Sequence, residues 1–138
     1  FKIIQIPFNF LDRQWNNNDF LKIIKNNNIE IHIRSIFLQG ILLNDISFWP
    51  NVNNKEIIYE NLIKICKKYK ITRMELIIRY SLSFDWINGI LFGVNSISQL
   101  EENIKTFNSL KKFDSNIIKD IQETFNNCTE TLLNPSLW

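Results

Sequence analysis

The stretch that decides the fold is GILFGVNSISQLEENIK, residues 89–105. Its first half, residues 90–94, is a short apolar run bounded by glycines, which is typical of a buried strand. In its second half, Ser98 is followed three residues later by Glu101, and this pattern predicts a capping box and a helix that begins at Ser98. A strand that leads directly into a helix directs backbone N–H groups and the positive end of the helix dipole at one point. The stretch is compatible with a phosphate site, but most strand–turn–helix units bind nothing, so by itself it favours an ordinary turn.

Length, charge and cysteine content place the chain among ordinary globular domains. It has 138 residues, 45% of them hydrophobic, and a formal net charge of +2, so we expect a buried core and no nucleic-acid partner. No run is long and apolar enough for a membrane span, and no signal peptide is recognisable, so no membrane partner is expected. Cys66 and Cys128 lie far apart without metal-ligand spacing. They predict no metal site and favour a reduced, cytoplasmic chain.

The rest of the chain predicts strands that alternate with helices. The predicted strands are residues 1–10, 29–35 and 90–94, and the predicted helices are residues 19–28, 55–69, 73–84, 98 onward and 114–127. Asn18 is the predicted cap of the first helix, and Thr72 with Glu75 forms a predicted capping box for the third. The last helix is expected to end in a polar tail.

The order of these segments predicts a parallel α/β sheet with helices packed outside it. Three strands cannot close a barrel by themselves, and as an open sheet they would leave wide edges. Residues 29–35 place isoleucines on one face and Glu30, His32 and Arg34 on the other. In a (β/α)8, or TIM, barrel this polar face would point into the interior. The fold class expected is therefore a partial barrel, and because the chain starts at Phe1 without a methionine, its beginning is expected to be missing.

Three segments resemble, in order and spacing, the last three strands of the aldo/keto reductase family. They are IIQIPFNFLDR, IHIRSIFLQGILL and ILFGVNSISQLEEN, and the most specific parts are the Ser-x-x-x-x-Gly-x-Leu run at 35–42 and SQLEEN at 98–103. The resemblance extends from Ile3 to about Phe125 and implies a (β/α)8 barrel that binds extended NAD(P)H without a Rossmann domain. Residues 1–138 would be the C-terminal part of a single barrel domain, with residues 114–138 as its final helix and tail.

The resemblance also implies roles for residues at the ends of the first two strands. Gln5 matches the glutamine that hydrogen-bonds the nicotinamide carboxamide, with a polar barrel filler as the alternative. Arg34 stands where the family usually has an aromatic ring under the nicotinamide. An arginine there could stack its guanidinium, or reach a phosphate or a substrate anion. Ser35, Phe37 and Gly40 match the loop along the pyrophosphate, and simple loop packing is the alternative for Phe37.

The turn after the last strand resembles the loop that grips the adenosine end of the dinucleotide. The residues implied there are Gly93, Val94, Asn95, Gln99, Glu102 and Asn103. Gln99 stands where many relatives have an arginine for the ribose 2′-phosphate, and Glu102 and Asn103 match the pair that holds the adenine. A neutral glutamine cannot form a bidentate ion pair with phosphate. A preference for NAD over NADP, or a weak choice between them, is therefore expected.

The resemblance places the family's catalytic Asp, Tyr, Lys and His upstream of Phe1, so no catalytic residue is expected in this chain. His32 is not the family's histidine, because it lies on the seventh strand rather than the fourth. The main hypothesis is the C-terminal portion of an NAD(P)-dependent aldo/keto reductase, which moves a hydride between nicotinamide and a carbonyl or alcohol substrate. The alternative is a non-catalytic dinucleotide-binding sensor or interaction protein of the same fold. The partners expected are a small carbonyl substrate and the missing N-terminal half of the barrel.

Two further segments are candidates for the wall of a substrate pocket. Phe48, Trp49 and Pro50 lie in the long loop after the second strand and either line the pocket or cap the barrel rim. The tail with Leu132, Leu133 and Trp138 either reaches over the mouth of the barrel or packs on its surface.

Overall fold

The computed structural model describes residues 2–126 and 128–138. Three strands, β1 (Ile3–Pro7), β2 (Glu30–Arg34) and β3 (Gly89–Ile90), form a parallel sheet in the order β1-β2-β3. The helices are α1 (Asn18–Asn26), α2 (Lys55–Tyr69), α3 (Arg73–Leu82), α4 (Ile97–Ser109), α5 (Ser115–Thr124) and α6 (Glu130–Leu133). Short 3₁₀ turns occupy Ile41–Leu43, Ile46–Phe48 and Pro135–Leu137. The predicted parallel pairing and element order are confirmed, whereas Phe1 and Asn127, the predicted ends of a strand and a helix, lie outside the described residues.

One face of the sheet forms the centre of the hydrophobic core. Ile31 and Ile33 of β2 are fully buried, and they share one core cluster with Leu62 of α2 and Leu76 of α3. Burial of an isoleucine side chain contributes roughly 1.5–3 kcal/mol. The alternation predicted for residues 29–35 is therefore what attaches the helices to the sheet.

The opposite face carries the polar residues that were predicted to point into a barrel interior. Glu30 and Arg34 are exposed and His32 is half-buried. His32 lies opposite Gly89 in the β2–β3 pair, and a Cβ added to Gly89 would come within 2.8 Å of the imidazole Cδ2. The strands approach each other here because residue 89 has no side chain.

Both outer strands of the described sheet have free edges. Among the residues that the structure describes, β1 and β3 each pair only with β2. Ile3 at the β1 edge is 48% exposed, and Leu91 and Ile97 are exposed on the β3 side. Residues 91–94, predicted to continue the last strand, do not, although Leu91 N–H still donates to Ile33 O at 2.8 Å.

Two of the predicted helix caps, those of α1 and α4, are wrong. Asn17, and not Asn18, caps α1, because its extended backbone lets its side chain accept from Phe20 N–H at 3.0 Å. The predicted box of Thr72 and Glu75 is confirmed for α3.

The start of α4 is the second correction. Ser96, and not Ser98, is its cap, and Ser96 Oγ accepts from Gln99 N–H at 3.2 Å. The predicted Ser98–Glu101 box is wrong because Ser96-x-x-Gln99 satisfies the same pattern two residues earlier.

The C-terminal tail is more ordered than predicted. Instead of a polar tail, the segment after Cys128 forms the short helix α6, and Leu132 on that helix is fully buried in the core. Among residues 2–126 and 128–138, no helix has the length and apolar character needed to span a bilayer.

Candidate functional site

A cleft of about 590 Å³ opens at the carboxyl ends of the three strands. Nine of the eleven residues that the resemblance implicates line it: Gln5, Arg34, Ser35, Phe37, Gly40, Gly93, Asn95, Gln99 and Asn103. The other two, Val94 and Glu102, are exposed and do not line this cleft. We call it the first cleft. The fold thus gathers most of the predicted residues on one face, and their roles stay predictions.

The 35–40 loop that follows β2 has an unusual backbone. Leu38, Gln39 and Gly40 have φ angles of 46°, 56° and 85°, and Ser35 has 60°. Such left-handed conformations cost a non-glycine residue on the order of 1–3 kcal/mol each and persist where the surroundings enforce them. Asn9 helps to do so, because its Nδ2 donates to Ser35 O at 3.1 Å. Only Gly40 gives a sequence signal for this geometry.

The same loop leaves several N–H groups without an acceptor. Within residues 2–126 and 128–138, the backbone N–H groups of Ile36, Phe37 and Gln39 donate to no protein acceptor, whereas those of Leu38 and Gly40 close turns inside the loop. Left-handed turns that direct free N–H groups into a concavity can hold an anion. The 35–40 loop therefore has the chemistry of a phosphate site.

The first turn of α4 forms the far wall of the first cleft. Ser96 caps the helix, and Gln99 Oε1 accepts a hydrogen bond from Asn95 N–H at 2.8 Å. Gly93 stands in open space, since an added Cβ would meet no atom within 4 Å. Residues 93–103 contain no lysine or arginine. This wall therefore offers neutral hydrogen-bonding groups rather than positive side chains.

Asn103 is the most informative side chain of the first cleft. It lies on α4, lines the cleft and is only 2% exposed, yet its Oδ1 accepts no hydrogen bond from any described residue. Buried amides in native proteins are nearly always paired, because an unpaired one costs about 1–3 kcal/mol. The Oδ1 atom of Asn103 is therefore a candidate for pairing with a group outside the described residues.

Of the residues that the structure describes, Arg34 is the one ionisable residue that lines the first cleft. Its side chain is exposed, and its Nη1 donates to Ser35 Oγ at 3.3 Å. Among the described residues, no carboxylate lies within ion-pair distance of its guanidinium. The positive charge of Arg34 is thus not neutralised by the part of the chain that the structure describes.

A second cleft, of about 860 Å³, lies between the end of β1 and the C-terminal segment. The sequence did not predict it, because its walls come from segments more than a hundred residues apart. Its lining includes Asp12, Cys128 and the tail residue Leu133. Burial raises the pKa of the Asp12 carboxyl, and hydrogen bonds from Gln14 partly offset this rise. Burial likewise raises the pKa of the Cys128 thiol to about 11.

Arg13 fixes the relation between this cleft and α5. Its Nη1 and Nη2 donate to Gln122 O and Phe125 O at 3.0 and 2.9 Å. Carbonyl groups at a helix C-terminus have no partner within the helix, so one guanidinium satisfies two of them. Although Arg13 lines the second cleft, its Nη1 and Nη2 each donate one hydrogen bond to the end of α5.

Other candidates from the sequence lie elsewhere. His32 and the loop residues Phe48, Trp49 and Pro50 line neither cleft, and Trp49 is buried while Phe48 is exposed. Trp138 donates from its indole N–H to Thr131 O at 3.1 Å, so it packs on the tail itself. Among the described residues, no three His, Cys, Asp or Glu side chains are placed to hold a metal ion.

Parallel strands, outer helices and a cleft at the carboxyl ends of the strands are the features of part of a (β/α)8 barrel. The model of the aldo/keto reductase family matches residues 1–125, and the chain therefore belongs to the aldo/keto reductase family. The resemblance stated from the sequence is confirmed, as is the partial barrel.

Solved structures agree with this fold. The aldo-keto reductase AKR11C1 from Bacillus halodurans in its apo form has a TM-score of 0.68 and 18% identity, covering 96% of this chain and 47% of that one. Its holo form has a TM-score of 0.67 and 18% identity, covering 96% of this chain and 46% of that one. The thermostable aldo-keto reductase Tm1743, solved with the inhibitor epalrestat, has a TM-score of 0.60 and 16% identity, covering 88% of this chain and 39% of that one. This chain spans about half the length of AKR11C1, and no curated protein matches it significantly.

Proposed function

We propose that this chain forms the dinucleotide-binding side of an NAD(P)-dependent aldo/keto reductase. The reaction is hydride transfer between the nicotinamide and a carbonyl or alcohol carbon of a small substrate. The proposal is supported by the family match over residues 1–125 and by the cleft at the carboxyl ends of the strands. The observation that carries it is the buried, unpaired amide of Asn103.

The residues of the first cleft fit a dinucleotide at both of its ends. An adenine ring offers a hydrogen-bond donor beside an acceptor, which is what a side-chain amide such as Asn103 can pair with bidentately. At the other end, Gln5 on β1 is exposed towards the cleft and has an amide of the kind that pairs with a carboxamide. Between them, the free N–H groups of the 35–40 loop suit a pyrophosphate.

The bound nicotinamide would supply the hydride, and the side chains of this chain would hold the cofactor and orient it. Among the described residues, Arg34 is the one ionisable group that lines the first cleft, and we assign it to binding. The proposal assigns this chain to binding and assigns proton transfer to residues outside it.

The proposed cofactor preference is NAD over NADP. The first turn of α4 has no charged side chain, and the exposed Glu101 and Glu102 follow in the next turn. Gln99, at the position where a 2′-phosphate would be read, is engaged with Asn95 N–H. A second phosphate there would meet no positive side chain of α4's first turn, so its desolvation would not be offset by an ion pair.

Asn103→Leu tests the proposed function in the natural protein at its full length. The variant is expected to raise the Kd of NADH about tenfold, because a hydrogen-bonding amide is lost. Without ligand, its free energy of unfolding is expected to stay equal or rise, because an unpaired buried amide is replaced by an apolar side chain of similar size. Fluorescence titration and urea unfolding measure the two quantities.

Asn88→Leu is the matched control. Asn88 Oδ1 accepts from Ile31 N–H at 2.8 Å, so its loss should lower the free energy of unfolding by about 1–3 kcal/mol and leave the Kd of NADH unchanged. If Asn103→Leu binds NADH normally, the proposal is wrong. If the wild-type protein binds NADH but reduces no aldehyde or ketone, the non-catalytic sensor becomes the better reading.

A further inference from the structure

The two clefts share one wall. Arg34, Ser35, Leu38 and Gln39 line both of them, so the end of β2 and the 35–40 loop contribute to both clefts. A molecule in the second cleft therefore lies directly beside a molecule in the first. If the first cleft holds the dinucleotide, the second is placed to hold the compound that exchanges hydride with it.

Two arginines, Arg13 and Arg34, line the second cleft, and Arg34 is the more exposed of them. Arg13 is committed to the carbonyl groups of Gln122 and Phe125. The carboxyl of Asp12 is buried and accepts from Gln14 Nε2 at 3.2 Å, while Glu130 is an exposed residue of α6. Only Arg34 combines an exposed guanidinium, a single 3.3 Å hydrogen bond and the absence of a carboxylate partner among the described residues.

An unpaired guanidinium facing a half-polar cleft favours an anion. Its planar set of N–H donors matches a carboxylate or phosphate group and binds it in two parallel hydrogen bonds. The C-terminal residues Leu133 and Pro135 also line the second cleft and offer it apolar surface. The second cleft thus suits a compound with a carbon skeleton and one anionic group.

We propose that the second cleft binds carbonyl substrates that carry an anionic group, and that Arg34 is the residue that selects them. This inference rests on the proposed function and extends it to a substrate class. The balanced reaction is aldehyde, NADH and a proton giving the primary alcohol and NAD⁺, with the anionic group unchanged.

The experiment compares 4-formylbenzoate with the isosteric and neutral 4-formylbenzamide in the natural protein at its full length. The kcat/KM ratio of acid to amide is expected to exceed about 10 in the wild type, and Arg34→Gln is expected to lower that ratio about 10- to 100-fold. Arg34→Lys should retain part of the ratio, because it keeps the charge without the planar fork. Lys22→Gln, which removes an exposed cation of α1 that lines neither cleft, should leave the ratio unchanged.

A second readout does not depend on turnover. Calorimetry should show benzoate binding more tightly than benzamide to the wild type, and Arg34→Gln should remove that difference. If the wild type reduces both aldehydes equally well, the inference is wrong while the proposed function stands. If Arg34→Gln changes the ratio of NADPH to NADH affinity and leaves the acid-to-amide ratio intact, the arginine reads the cofactor and the inference is wrong. If the full-length protein does not bind NAD(P)H, both the proposed function and this inference are wrong.

Discussion

Gln99 Oε1 accepts a hydrogen bond from Asn95 N–H at 2.8 Å and so closes the turn before α4. The same residue donates its own backbone N–H to the Ser96 cap. Gln99 therefore has a structural task at the position where the resemblance expected only a cofactor contact. Replacing Gln99 by a residue without a side-chain acceptor will loosen the start of α4, and replacing it by arginine will also add a positive charge to the first cleft.

Gln99→Arg is expected to shift the cofactor preference towards NADPH. The new guanidinium could pair with a 2′-phosphate, which should strengthen NADPH binding about 10- to 100-fold relative to NADH. The free energy of unfolding should fall by roughly 0.5–1.5 kcal/mol, because an arginine has no acceptor for Asn95 N–H. Separate titrations with the two cofactors and urea unfolding measure these effects. Gln99→Met is the control, because it should lower the free energy of unfolding without changing the cofactor preference. An unchanged preference in Gln99→Arg would contradict the proposed position of the 2′-phosphate.

Ser96→Ala and Ser98→Ala distinguish the two possible starts of α4. Ser96 is the cap in the structure, so its alanine variant should lower the free energy of unfolding by about 1 kcal/mol. Ser98 contacts Ser96 Oγ at 3.0 Å but caps nothing, so its variant should change stability by less than about 0.5 kcal/mol. Chemical denaturation of both proteins under one condition gives the comparison. A larger loss for Ser98→Ala would restore the original capping box.

Arg13→Lys is expected to destabilise the protein although the charge is kept. A single ammonium cannot reproduce the two hydrogen bonds to Gln122 O and Phe125 O. A loss of about 1–3 kcal/mol in the free energy of unfolding should follow. Lys119→Met on α5 is the matched control, because its 3.8 Å pair with Glu123 is exposed, and such pairs contribute about 0–1 kcal/mol. Equal effects of the two changes would show that Arg13 does not cap α5.

Cys66 and Cys128 are expected to react slowly near neutral pH. Burial raises the pKa of each thiol to about 11, whereas an unfolded cysteine has a pKa of about 8.5. The folded protein should therefore react with iodoacetamide at pH 8 at least about tenfold more slowly than the urea-unfolded protein. Fast alkylation of the folded protein at pH 8 would contradict the burial.

The same pKa values set the direction of an alkaline stability change. Because the unfolded thiols lose their protons first, the contribution of Cys66 and Cys128 is fully present below a pH of about 8.5 and is lost as the pH rises towards 11. Urea midpoints between pH 8 and pH 11 should fall less in a variant with both cysteines replaced by alanine.

The parts of the fold that the sequence predicts well are those with local signals. The bounds of α2 coincide with the prediction, because Ile58, Leu62 and Ile65 repeat at helical spacing on one buried face. The capping box of Thr72 and Glu75 is likewise a pattern within four residues. Parallel pairing followed from the alternation of strands and helices alone.

The parts that were missed depend on distant contacts or on competing local patterns. Two overlapping capping patterns start at Ser96 and Ser98, and sequence alone does not choose between them. The left-handed backbone at Leu38 and Gln39 has no sequence signal, since neither residue favours it. The burial of Asn103 could not be predicted either, because SQLEEN is typical of an exposed first helical turn. The second cleft could not be predicted because C-terminal residues form part of its lining, and the sequence predicted only a polar tail there.

The open edges of the described sheet have a practical consequence. A row of unpaired N–H and C=O groups beside exposed isoleucines, as at Ile3, is a template on which strands of other molecules can add. Preparations of these 138 residues should therefore self-associate as their concentration rises. Light scattering over a dilution series should precede any titration, because an edge occupied by a neighbouring molecule would hide the adjoining Gln5 from ligand.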